Sequence, residues 1–262
     1  MYIKFSKNEL FPKNNCTLQL LSYNFVSAYP HYNVTRLNWT VKVFSLILIN
    51  IYPMIHRLFS EPLSAGNSVA LDLSAANVEL NASIYGNASA FCDYMEVKLG
   101  AKIGYGGYLE HRVIYESYEN FATSSEDFRN IHLGMDFWTT AGTPVFAPLE
   151  GKVHSFQVNH CPGNYGPTII VYHPAEKIYS LYGHLSSSDL VDLEVGTPIA
   201  AGQLLCHLGK TPENGGWPPH LHFQLIRDMQ GFQGDYPGVC SQRDLVFYAN
   251  NCPDPSGFSF PI

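Results

Sequence analysis

The chain has 262 residues, 46% hydrophobic and 14% charged, a composition that allows one or two buried cores and excludes wholesale disorder, collagen-like repeats and coiled coils. Fifteen Lys and Arg against 22 Asp and Glu give a formal charge of −7, too few cations for the basic face that nucleic acid requires. Aromatic residues reach 14%, in keeping with a β-rich fold or an aromatic-lined cleft.

The charge divides unevenly. Residues 1–53 hold Lys4, Lys7, Lys13, Arg36 and Lys42 against Glu9 alone, a balance of +4 that leaves −11 on the remainder. The most apolar run, VFSLILINIYPMI (43–55), is shorter than the roughly 18–20 residues that span a bilayer, and Asn50 and Pro53 interrupt it. It has the length of a signal-peptide core, with Ser64-Ala65-Gly66 downstream as a cleavage region, yet the segment before it is far longer than a usual charged leader. Residues 1–60 are therefore read as an N-terminal extension. Its nature stays open between signal or anchor, a buried or poorly ordered extension, and sequence preceding a true start at Met54. Membrane association is open only through residues 43–55.

Residues 61–104 read as an α+β lead-in. A short strand is expected over 69–73 and a helix over about 90–99, where Phe91, Tyr94, Met95 and Leu99 share one face. Asn87 or Ser89 would cap its start and Gly100 its end. The glycine-rich stretch GYGGYLEHR (104–112) lacks dinucleotide-fingerprint spacing and is read as a structural turn. Beyond Ile131, short strands are expected at 143–146, 151–158, 168–172, 178–182, 197–203 and 220–225, with one helical turn within 186–193. That spacing argues for a β-rich fold, α+β overall, built on an antiparallel sheet or sandwich. Residues 236–262 read as an irregular tail. None of the six cysteines (Cys16, Cys92, Cys161, Cys206, Cys240, Cys252) forms a CxxC pair. A Cys240–Cys252 disulfide would staple the tail, against the simpler reading of free thiols.

Of eleven histidines, four positions stand out. In a strand, residues two apart share a face, so His220 and His222 project together while Leu221 faces the other side. Neutral imidazole is a favoured zinc ligand, and two on one strand face are a natural start to a metal site. His132 and Asp136 in HLGMD likewise share a face of an extended segment, and His–Asp–His is a familiar set for catalytic zinc. His184, in YGHL, would read as structural on its own.

Together these segments resemble the lysostaphin/LytM-type zinc metallopeptidases. The run is HLGMD (132–136), GTPVFAPLEGKV (142–153), YGHL (182–185), GTPIAAGQLLCHLG (196–209) and PHLHF (219–223), in the family's order and spacing over about 130–225. The resemblance implies a hybrid barrel-sandwich metallopeptidase domain over 105–235. It implies one zinc ion per chain held by His132, Asp136 and His222, with His184 and His220 as catalytic histidines beside it. Which of the two is the general base stays open. Gln224 stands where many relatives have Glu, and little consequence is expected of that change. Trp217 could wall a substrate cleft, and Tyr165 and His173 could rim it, although packing and turn chemistry explain all three equally well. The implied activity is hydrolysis of a peptide bond, with a peptide or peptidoglycan stem or cross-bridge as substrate. The alternative is a non-catalytic module of the same fold that binds cell wall or regulates other wall hydrolases. The resemblance favours a periplasmic or extracellular setting, while the sequence holds no convincing signal peptide.

Overall fold

The computed structural model describes residues 57–123 and 128–258. The apolar run 43–55, Cys16, His31, His56 and nearly all of the N-terminal extension lie outside the described residues. No described helix is long and apolar enough to cross a membrane.

Twelve strands are described: β1 (Ser68–Ala70), β2 (Ile103–Gly106), β3 (Ile131–His132), β4 (Met135–Trp138), β5 (Pro144–Phe146), β6 (Gly151–Asn159), β7 (Gly166–His173), β8 (Ile178–Gly183), β9 (Pro198–Ile199), β10 (Leu204–His207), β11 (His220–Ile226) and β12 (Val239–Cys240). Eight form one sheet in the order β1-β2-β4-β11-β8-β7-β6-β9, while β10 pairs β5 and β12 pairs β3. Every pairing is antiparallel except β1 with β2. The antiparallel expectation holds, but the large sheet does not close into a barrel.

Period-two alternation places two of the hydrophobic clusters. On β11, Leu221, Phe223 and Leu225 join Met135, Phe137, Ile169, Val171 and Tyr182 in one cluster. Ile226, Ile170 and Leu181 face the other way, beside Leu133, Tyr165 and Tyr236. Asp136, His220, His222 and Gln224 alternate with the residues of the first cluster, so the sheet carries its polar site opposite its largest apolar core. Burying these side chains contributes on the order of 1.5–3 kcal/mol each, which holds β4 and β11 in one register.

The lead-in supplies β1, β2 and two helices, α1 (Ala82–Tyr85) and α2 (Ala88–Leu99). Asn87 caps α2 by accepting from the Ser89 and Ala90 N–H groups, and Gly100, at φ +54°, ends it. Phe91 and Met95 are buried, and Tyr94 and Leu99 pack beside them. The expected strand at 69–73 is shorter, Ser68–Ala70.

Two expectations are corrected. The strand expected at 197–203 is only β9, because Gln203 N–H bonds back to Ala200 C=O and Gly202 takes φ +77°, turning the chain before β10 begins at Leu204 on a different partner. The glycine-rich stretch is not only a turn, since β2 pairs with β4 through Gly104–Trp138 and Gly106–Asp136. The simpler reading of the cysteines holds: Cys240 and Cys252 are buried free thiols, and Cys252 Sγ accepts from Gln224 Nε2 at 3.3 Å. The tail also includes a short helix, α3 (Leu245–Asn251). The turn expected within 186–193 is 3-10, at Ser187–Leu190.

Candidate metal centre

Pairing of β4 with β11 sets Asp136 opposite His222 and Trp138 opposite His220. His132 ends β3, with Leu133 and Gly134 between it and the start of β4 at Met135. A Cβ on Gly134 would lie 2.7 Å from the His222 ring, so the glycine of HLGMD leaves room for that imidazole.

The three ligand atoms converge. His132 Nε2 and His222 Nδ1 are 2.9 Å apart, and Asp136 Oδ1 is 3.2 Å from each. The outer nitrogens are engaged elsewhere: His132 Nδ1 donates to Gly107 C=O and His222 Nε2 to Gln224 Oε1, both at 2.9 Å. Those partners assign the tautomers, leaving a lone pair on each inner nitrogen. Asp136 Oδ1 is buried and accepts no hydrogen bond. Three buried lone-pair atoms facing one another repel unless a cation lies between them, and neutral imidazole with carboxylate is a zinc-type donor set. Among the described residues this is the only such group able to hold a metal ion.

Electrostatics agree with that tautomer assignment. Burial, aided by the Arg112 charge, pushes His132 down to about 4, so its ring is neutral. Burial alone would raise Asp136, but the Arg112 guanidinium on Oδ2 holds its carboxyl well below the usual range.

His184 and His220 stand beside this group, their rings 4.1 Å apart between centroids. His184 follows β8 with φ +64°, a conformation few non-glycine residues adopt. Its N–H bonds Tyr165 C=O, and its Nδ1 donates to Asn214 C=O at 2.8 Å. His220 Nδ1 donates to Pro218 C=O at 2.8 Å, and its ring stacks on Trp138 at 3.8 Å. In both rings Nε2 is left as the basic nitrogen. Burial lowers both, His220 to about 4 and His184 well below its ordinary value.

All five residues line one cavity of about 410 Å³, together with Tyr165 and Trp217. The Tyr165 hydroxyl is 3.4 Å from His222 Nε2. His173 is not among the lining residues. It is fully buried at the far end of β7, where Nδ1 donates to Glu150 C=O at 2.8 Å and Nε2 accepts from the Ser180 hydroxyl at 2.7 Å. Its place as a rim residue is thereby corrected.

Sequence reasoning passed over three parts of this centre. Gln224, discounted above, orients His222. Arg112 reaches Asp136 Oδ2 at 2.6 Å, and Gly107 receives the His132 proton. Two charges in i,i+2 alternation, Glu110 and Arg112, three and five residues after Gly107 in a charge-poor chain, were the available signal.

Comparison with known proteins agrees with the motif run. Residues 130–233 match the model of Peptidase family M23. The chain is 36% identical over 94 residues to an uncharacterized metalloprotease of Haemophilus influenzae, covering 36% of this chain and 18% of that protein. It is 31% identical over 110 residues to the peptidoglycan DD-endopeptidase ShyB of Vibrio cholerae, covering 40% and 24%. The chain thus spans only about a fifth of the length of these curated relatives. Among solved structures, it is similar to a zinc-containing peptidase from Vibrio cholerae, at 26% identity and TM-score 0.30 over 37% of this chain and 28% of that one. It is likewise similar to lysostaphin in its solution structure, at 25% identity and TM-score 0.33 over 51% and 49%. Over residues 130–233, where the model of Peptidase family M23 matches, this chain resembles the lysostaphin/LytM-type peptidases.

Proposed function

We propose that this chain is a zinc metalloendopeptidase that cuts peptide bonds in peptidoglycan stem or cross-bridge peptides. The single observation that carries the reading is the convergence of three buried lone-pair atoms beside two neutral imidazoles on the wall of one cavity. His132, Asp136 and His222 would hold the zinc. When bound, it would supply Lewis-acid polarisation of the scissile carbonyl and of the attacking water.

The chain's own groups handle protons and orientation. No HExxH glutamate is present, so the general base comes from His184 or His220, each presenting a lone-pair Nε2. The Asn214 and Pro218 carbonyls fix each ring by accepting its Nδ1 proton, which holds Nε2 in the basic tautomer. The second imidazole orients the water or, once protonated, stabilises the oxyanion. Trp217 and Tyr165 wall the cleft and exclude water. The domain proposed for this chemistry spans 105–235. The peptidoglycan assignment leans on the printed activity of the Vibrio relative, and the −11 balance outside residues 1–53 offers no long-range attraction to a polyanionic wall.

The test is mass spectrometry of peptides released from purified bacterial sacculi by zinc-loaded protein, chelated protein and His220→Ala. The proposal expects metal-dependent release that the variant loses, with product masses naming the bond. No release by folded, zinc-bound protein would remove the wall substrate. Wall binding that persists unchanged in His220→Ala without any release would favour the non-catalytic module.

A further inference from the structure

Asp136 faces the three-atom cluster with Oδ1 alone, because Oδ2 is committed. Arg112 Nη1 donates to Oδ2 at 2.6 Å, and the guanidinium is buried. Its Nε donates to Glu110 Oε2 at 2.6 Å, while Glu110 Oε1 accepts the Leu73 N–H at 3.0 Å. Gly107, at φ +105°, makes room for this arrangement, since a Cβ there would overlap Arg112 Nη2. The same Gly107 offers its carbonyl to His132. The β2–β4 pairing, Gly106 opposite Asp136, fixes the segment against the metal ligands.

A Glu–Arg–Asp row whose Arg112 and Asp136 are buried and whose Glu110 is half-buried is poor at stabilising a fold, because apolar side chains of similar size often serve as well or better. Its placement makes sense for the metal. We propose that Arg112 is a positioning residue that restricts Asp136 to one-oxygen ligation, with Glu110 holding Arg112 in place. The metal then keeps positions open for water and a substrate carbonyl, which a two-oxygen aspartate would partly fill. This inference rests on the zinc reading above.

The experiment compares the full chain with Arg112→Met, Arg112→Lys and the double variant Glu110→Gln/Arg112→Met. Zinc affinity is measured by competition with a chromophoric chelator, and coordination by the visible absorption of cobalt-substituted protein. Arg112→Met is expected to bind zinc about 10–100-fold more weakly. Its cobalt absorption should fall, as coordination number rises above four. Arg112→Lys, which keeps the charge but not the fork, should lie between the two. If Arg112→Met fails to fold because Glu110 is stranded, the double variant replaces it, having lost an opposite pair together. Zinc affinity and cobalt spectra unchanged from wild type in the variants that fold would overturn the positioning role. A wild-type chain that takes up no zinc would overturn the zinc reading and this inference with it, whereas zinc-binding wild type with unaltered variants sinks this inference alone.

Discussion

Two histidine sites, one on β7 and one shared by β3 and β11, are buried alike and are satisfied in opposite ways. His173, at the end of β7, spends both ring nitrogens on protein partners, Glu150 C=O and the Ser180 hydroxyl. His132 and His222 each spend one, and turn the other toward a carboxylate oxygen that has no donor. Burial is equal in the two places, so burial does not mark function. Incomplete satisfaction does, because a buried polar atom without a partner is costly and persists only where something else will complete it.

The contrast can be broken in graded ways. The largest effect is expected at the histidines beside the cluster. His184→Ala should lower kcat/KM by about 10²–10⁴-fold with zinc content unchanged, as read by peptide-cleavage kinetics and elemental analysis. A drop in zinc content would instead make His184 part of the metal site.

Completion of the cluster should also appear as stability. Zinc at about 100 times its dissociation constant is expected to add roughly 2.7 kcal/mol to unfolding, measured from denaturant midpoints with and without chelator. Asp136→Asn, which removes the anionic oxygen, should show little of this response. Gly134→Ala forces a Cβ against the His222 ring and is expected to cost about 1–3 kcal/mol through overpacking. Its zinc affinity should fall as well.

The smallest effect concerns the satisfied site. Burial pushes His173 below its ordinary 6.5. Between that lowered value and 6.5 the unfolded chain binds more protons than the folded one. The contribution is therefore fully present above 6.5 and is lost as the pH falls through the window. His173→Gln should flatten the acid side of the stability profile, with peptide cleavage at neutral pH retained in proportion to folded protein. A profile as steep as wild type would show that His173 is not a source of the acid sensitivity.

What was legible in the sequence was whatever depends on short-range periodicity. The shared face of His220 and His222 follows from the two-residue repeat of a strand, and Asn87 announces the start of α2 by its side-chain chemistry. The ordered run of five motifs pointed to the family before any geometry was available. Contacts set by register were not legible. Arg112 meets Asp136 because β2 pairs with β4, and no local pattern states that pairing. The early end of β9 and the separate start of β10 at Leu204 depend on a turn at Gly202 and on two different partner strands. His173 and His222 cannot be told apart as residues; only their partners distinguish them.

The central claim is that three residues hold the metal while two neighbouring histidines do the chemistry. Elemental analysis of zinc after dialysis against a weak chelator, for wild type, His222→Ala and His220→Ala, tests it most directly. The account predicts one zinc per chain in wild type and in His220→Ala, and loss of the metal in His222→Ala. Retention of zinc by His222→Ala, or its loss from folded His220→Ala, would contradict that division.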